Sequence, residues 1–317
     1  MINEPSTLIS RLRGSPPHGG SGERGLNSNT LNTPLIFITN DDGYQAAGIQ
    51  ALARAVAPLG DIYIVAPDGA RSGTAASITA TRPVTFRELP LVADTTPSST
   101  PLTNGFAVTT VDSPTGYPAS ARLFSCSGTP VDCVKLAMEQ IVPRKPDLIL
   151  SGINHGDNAS ISVHYSGTMG AVFEGCMKGV PSVGLSLWLQ HGQRYEDVPV
   201  SDDTLAAIAT LCQRILTQGL PQDVCLNINI PPSTAFRGWQ VCRQARGQWT
   251  AEWATATNPH GLNAFWLTGK FTDLEPDATD TDFAALRAGH CSIVPITIDM
   301  TAHAALSFLK DTIVSKI

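Results

Sequence analysis

Asp41 and Asp42 stand side by side after a short apolar run, in Leu35-Ile36-Phe37-Ile38-Thr39-Asn40-Asp41-Asp42-Gly43. Crowded carboxylates repel one another unless one is protonated or a cation bridges them. An Asp-Gly step also serves as a turn, and an Asp as a helix cap, so the pair by itself leaves both readings open. Two further loops shift the balance. Ser72, in Arg71-Ser72-Gly73, offers a hydroxyl, and Asn154, in Ser151-Gly152-Ile153-Asn154, offers an amide oxygen. Both are neutral hard donors of the kind that Mg²⁺, Mn²⁺ or Ca²⁺ accepts. A second cluster, Tyr165-Ser166-Gly167-Thr168, opens a small-residue helix. There a glycine lets backbone N–H groups approach an anion at the positive end of the helix. The plainer reading, with Ser166 as an N-cap and Gly167 and Gly170 easing helix packing, is compatible with it.

The elements that position these groups follow from hydrophobic spacing. Residues 35–39 read as a buried parallel strand, Ile49, Leu52, Ala53 and Val56 as a helix, and residues 62–66 as a second strand ending at Pro67-Asp68. A right-handed βαβ crossover then opens the Asp41/Asp42 loop and the 67–75 loop on the same sheet edge. Val131, Val134, Leu136 and Met138, with Thr129 as N-cap, predict a helix before a strand at 148–150 that runs into Asn154. A helix to about Lys178, a strand at 182–187, a helix over 202–218 and a strand at 224–230 extend the layer.

The predicted fold class is therefore α/β: a Rossmann-like, mostly parallel sheet with helices on both faces, spanning residues 34–230. Residues 1–33, rich in Gly, Pro, Ser and Asn, read as a disordered arm. Residues 90–103 and 112–120 read as insertions around a strand at 106–111. From residue 231 a less regular β-rich region follows, with pieces at 239–242, 264–267 and 292–298 and a closing helix at 304–314.

The blocks quoted above, together with Gly128-Thr129-Pro130-Val131-Asp132-Cys133 and Ser151-Gly152-Ile153-Asn154-x-Gly156-x-Asn158, resemble in kind and order those of the SurE family of metal-dependent nucleotide phosphatases. Thr281-Asp282-Phe283 and Asp299-x-Thr301-Ala302-His303 add weaker agreement, and residues 1–33 lie outside the resemblance. The resemblance implies a 5′-nucleotidase, with 3′-nucleotides and polyphosphate as further substrates. It places one divalent ion, Mg²⁺ or Mn²⁺, on Asp41, Asp42, Ser72 and Asn154. The substrate phosphate falls on Ser166, Gly167 and Thr168, and Asn40 precedes the acid pair as a second catalytic residue. It also implies a homodimer or homotetramer, assembled through a C-terminal hairpin or segment that reaches a neighbouring subunit. Water activated by the cation is the expected nucleophile; direct attack by Asp41 is the alternative, and His155 and His164 are nearby candidates for proton transfer.

Composition sets the outer limits. With 42% hydrophobic and 15% charged residues among 317 the chain can build a sizeable core, and a formal charge of -6 argues against coating a polymeric nucleic acid. Seven scattered cysteines without a C-x-x-C suit buried thiols and a cytoplasmic setting. No apolar run is long enough for a membrane span, and residues 1–33 lack the apolar core of a secretory signal. A dinucleotide oxidoreductase fits poorly, because the acids occupy the turn where a pyrophosphate needs glycines and a bare helix end. A phosphoacceptor receiver-like protein, or a nucleotide binder without turnover, is the remaining alternative.

Overall fold

The computed structural model describes residues 33–91, 116–189, 193–233, 235–257, 261 and 263–314. The strand expected at 106–111, most of the two insertions and the N-terminal arm to residue 32 lie outside them. In chain order the main elements are β1 (Leu35–Thr39), α1 (Ala47–Val56), β2 (Asp61–Pro67), β3 (Phe86–Leu89), β4 (Arg122–Cys126), α2 (Pro130–Leu136) and β5 (Leu148–His155). Then follow α3 (Gly167–Met177), β6 (Ser182–Leu187), α4 (Asp202–Gln218), β7 (Val224–Ile230), β8 (Trp239–Val241), β9 (Gly247–Thr250), β10 (Trp253–Ala256), β11 (Ala264–Leu267), β12 (Lys270–Asp273), α5 (Asp282–Arg287) and β13 (Cys291–Thr297).

Nine strands form one sheet in the order β3-β4-β2-β1-β5-β6-β7-β13-β8. From β4 to β7 all neighbours are parallel, which is the doubly wound arrangement, with its change of direction between β1 and β5. Side chains of β1 alternate between the faces: Ile36 and Ile38 pack with α1 and α4, whereas Phe37 packs with α2 and α3 residues. Burial on both faces explains why these strands read as continuous apolar runs. Helix α2 starts with a capping box, Thr129 accepting from the Asp132 N–H and Asp132 from the Thr129 N–H, with Pro130 in the first turn. All seven cysteines are free and buried. Among the described residues no helix is long and apolar enough to cross a membrane.

The C-terminal region departs from expectation in its strand pairing. Its last strand, β13, joins the main sheet antiparallel to β7 and carries β8 on its other edge, because its buried face continues the core. Among the described residues only β9 with β12 and β10 with β11 stand apart, as two antiparallel pairs. The closing helix is present, its turns running unbroken from His303 to Val314 but changing between 3-10, α and π windings, and with Phe308 57% exposed and Val314 62% exposed its apolar side is left uncovered by the described residues.

Helix α1 lies against β5 so closely that a Cβ on Gly48 would sit 2.0 Å from the Ile153 carbonyl oxygen. Gly48→Ala is therefore expected to lower stability by about 1–3 kcal/mol through overpacking, seen as a lower urea midpoint at unchanged m-value. An unchanged midpoint would mean that α1 can shift from β5 without cost.

Candidate active site

The turn after β1 is closed by Asn40, which is fully buried. Its Nδ2 donates to the Gly43 carbonyl oxygen (2.9 Å) and its Oδ1 accepts from the Gly43 N–H (3.2 Å). Each end of the amide thus holds the turn, so Asn40 shapes the presentation of the acids. Gly43 adopts φ +99°, a conformation that L side chains rarely take.

Asp41 is 5% exposed. Its Oδ1 accepts a 2.6 Å hydrogen bond from the Thr168 hydroxyl, and its carbonyl oxygen accepts from the Arg71 N–H at 2.6 Å. One residue thus ties β1 to the Ser72 loop and to the start of α3. Burial, then the neighbouring Asp42, push its carboxyl up from 3.8 to about 6, against the pull of the Thr168 bond. Burial raises Asp42 as well, opposed by the His155 N–H that donates to its Oδ2 at 3.0 Å. Such shifts mark carboxylates short of countercharge. Asn154 gives its Nδ2 to the Gly156 carbonyl (2.7 Å), which reserves its oxygen for a ligand. The pairing of β5 with β6 shifts register between Ser151 and Asn154, a bulge that re-aims the strand end into the site.

Asp41, Ser72, Asn154 and Ser166 border one cavity of about 410 Å³, and Trp249 and Glu252 from the C-terminal strands complete its wall. Three of the four expected cation ligands therefore share this cavity, while Asp42 turns its carboxylate to the His155 main chain. Among the described residues no three His, Cys, Asp or Glu side chains cluster where they could hold a metal ion together. The donors that could hold a cation here are carboxylates and neutral oxygens, which are of the type that Mg²⁺ or Mn²⁺ accepts.

In the Ser-Gly-Thr segment the side chains have structural partners. Ser166 caps α3, its Oγ accepting from the Met169 N–H at 3.0 Å. Thr168 is fully buried with its hydroxyl on Asp41. A Cβ on Gly167 would lie 2.9 Å from the Asp41 Cβ and 3.0 Å from the Thr74 Oγ1. The glycine admits Asp41, and the Ser166 hydroxyl, which accepts in its cap role and can still donate, joins the main-chain N–H groups at the start of α3 as donors open to an anion. Of the histidines, His155 borders this cavity and His164 a separate one with Cys242 and Arg243.

Beneath the site runs a polar network that sequence reading passed over. Asn158 donates from its main chain to the Asn229 Oδ1 (2.7 Å) and from its side chain to the Ser186 Oγ (2.7 Å), and Asn227 donates to the Asn158 carbonyl (2.8 Å). The polar residues alternating within the apolar strand Val224–Ile230 were its signal. Asp282 accepts from the Ser160, Ala245 and Phe283 N–H groups at 2.8–3.0 Å. Asp157, three residues beyond Asn154, is likewise raised to about 6 by burial.

A family model described as "Survival protein SurE" matches residues 36–251. A protein of Phocaeicola vulgatus named 5′-nucleotidase SurE is 40% identical over 88% of this chain and 96% of its own length. Its namesake from Bacteroides thetaiotaomicron is 41% identical over 87% and 95% respectively. The crystal structure of the SurE protein from Aquifex aeolicus superposes with a TM-score of 0.66 at 28% identity, over 88% of this chain and 99% of that one.

The Thr168–Asp41 bond yields a test. Thr168→Val removes a donor to a charged acceptor, worth about 1.5–3 kcal/mol, and Mn²⁺ affinity measured by calorimetry is expected to fall about ten- to hundredfold. Thr168→Ser keeps the hydroxyl and should keep most of the affinity. Equal binding by all three proteins would show that Asp41 needs no help from α3.

Proposed function

The chain belongs to the SurE family, and from that premise we propose that it is a divalent-metal-dependent 5′-nucleotidase releasing phosphate from nucleoside monophosphates. The observation that carries this reading is the Asp41–Asp42 carboxylate pair at the change of direction between β1 and β5, with the buried Asp41 bordering the same cavity as the Ser72 and Asn154 oxygens. Ligands of doubly wound sheets bind at that point. Asp41, Asp42, Ser72 and Asn154 are the residues to hold the cation, which when bound compensates the carboxylates and polarises a phosphate oxygen.

The chain's own groups do the positioning. Thr168 orients Asp41, the His155 main chain orients Asp42, and Gly156 anchors the Asn154 amide. The first N–H groups of α3 meet the phosphate at the positive end of an 11-residue helix. With one Asp41 oxygen engaged by Thr168, Asp41 serves as a ligand, and water is the group that attacks phosphorus.

We also propose that copies of the chain associate through the C-terminal strands. Trp253, Phe265 and Leu267, which are 66%, 57% and 68% exposed and share one side of the β10–β11 pair by their register, form an apolar face of the kind that marks an interface.

Two measurements check this. Phosphate release from a panel of nucleoside 5′- and 3′-monophosphates should stop with EDTA and return with Mn²⁺ or Mg²⁺, and Asp41→Asn should abolish it together with tight Mn²⁺ binding. Full turnover in that variant would remove Asp41 from the mechanism. Light scattering should find a dimer or tetramer that Trp253→Asp shifts toward monomer, whereas a fully active, concentration-independent monomer contradicts the proposed association.

A further inference from the structure

The cavity that holds Asp41 has a second wall unlike the first. Trp249, on β9, borders it with an indole that is half-buried. Its ring packs edge-on against Phe271 at 5.5 Å and 72°, Phe271 lies 4.9 Å from Phe283, and Phe283 meets Trp188 at 6.3 Å. This file of four aromatics runs from β9 into the cluster around Ala159 and Leu286, so the indole is held in place before any ligand arrives. Glu252 borders the same cavity. Its carbonyl oxygen accepts from the Thr268 N–H at 2.7 Å, which fixes its backbone, while its carboxylate is without a partner among the described residues.

An aromatic face and an unpaired carboxylate make a poor site for phosphate and a good one for an uncharged, hydrogen-bond-donating aromatic group. The carboxylate repels a further anion, and it accepts from hydroxyl or amino donors. The ring offers a stacking platform that every nucleobase can use. We propose that Trp249 and Glu252 are the specificity-determining wall for the nucleoside, with the base stacked on Trp249 and a nucleoside N–H or O–H donor on Glu252. The same wall makes the site prefer nucleoside monophosphates over chains of phosphate. This inference rests on reading the Asp41 end as a phosphomonoesterase site.

The experiment compares three substrates, a nucleoside 5′-monophosphate, glycerol phosphate and tripolyphosphate, with the full chain loaded with Mn²⁺. Trp249→Ala is expected to reduce kcat/KM for the nucleotide about ten- to hundredfold, chiefly through KM, and to leave glycerol phosphate within about twofold. Trp249→Phe keeps a ring and should restore most of the loss. Glu252→Gln should weaken the nucleotide and improve tripolyphosphate relative to it. An equal loss on nucleotide and glycerol phosphate, or no loss on either, overturns the assignment. Because Trp249→Ala also removes a packing ring, Glu252→Gln, which removes none, decides independently: an unchanged substrate ranking counts against the wall. Absence of phosphate release from all three substrates by the parent protein is a different failure, that of the phosphomonoesterase reading itself.

Discussion

Two carboxylates that cannot both be comfortable govern this molecule. Placed one after the other at a strand end, Asp41 buried and Asp42 half-buried, they repel each other where water screens them poorly. Everything nearby serves to keep them there. Asn40 closes the turn from below, Thr168 and the His155 N–H each engage one carboxylate, and the Arg71 N–H ties the Asp41 carbonyl to the neighbouring loop. None of these contacts carries a full positive charge, so the arrangement stays electrostatically open to a cation.

The sheet supplies what a loop by itself lacks. Because crossovers leave β1 in one direction and arrive at β5 from the other, no helix covers the crevice between their C-terminal ends. Groups from three chain segments, after β1, after β2 and at the end of β5, meet there. The glycines at 43 and 167 mark where backbone or an acid must come too close for a side chain.

Much of this was legible in the residues. Runs buried on both faces announce themselves, and the predicted spans 182–187, 202–218 and 224–230 coincide with β6, α4 and β7. The acids, Ser72 and Asn154 were legible because hard oxygen donors recurred at successive strand ends. What escaped depended on phase and tertiary packing. Nothing in Ser-Gly-Thr says that the Thr168 side chain turns inward to Asp41, since that follows from the helix's angle to β1. Trp249 sits on a four-residue strand of mixed character, and only the fold of the C-terminal region carries it to the cavity. The apolar spacing at 304–314 promised a packed helix, but spacing specifies a face and not its cover.

The Asp282 carboxylate has a mechanical consequence. It grips main-chain N–H groups of three segments: Ser160 in the turn leading to α3, Ala245 just before β9, and Phe283 at the start of α5. Releasing any of them strands a buried donor at a cost of about 1–3 kcal/mol. The turn that sets the phosphate end and the strand that carries Trp249 are thereby geared to a single pivot. A ligand that tilts one of them must load the other, so the two ends of the cavity respond as parts of one lever.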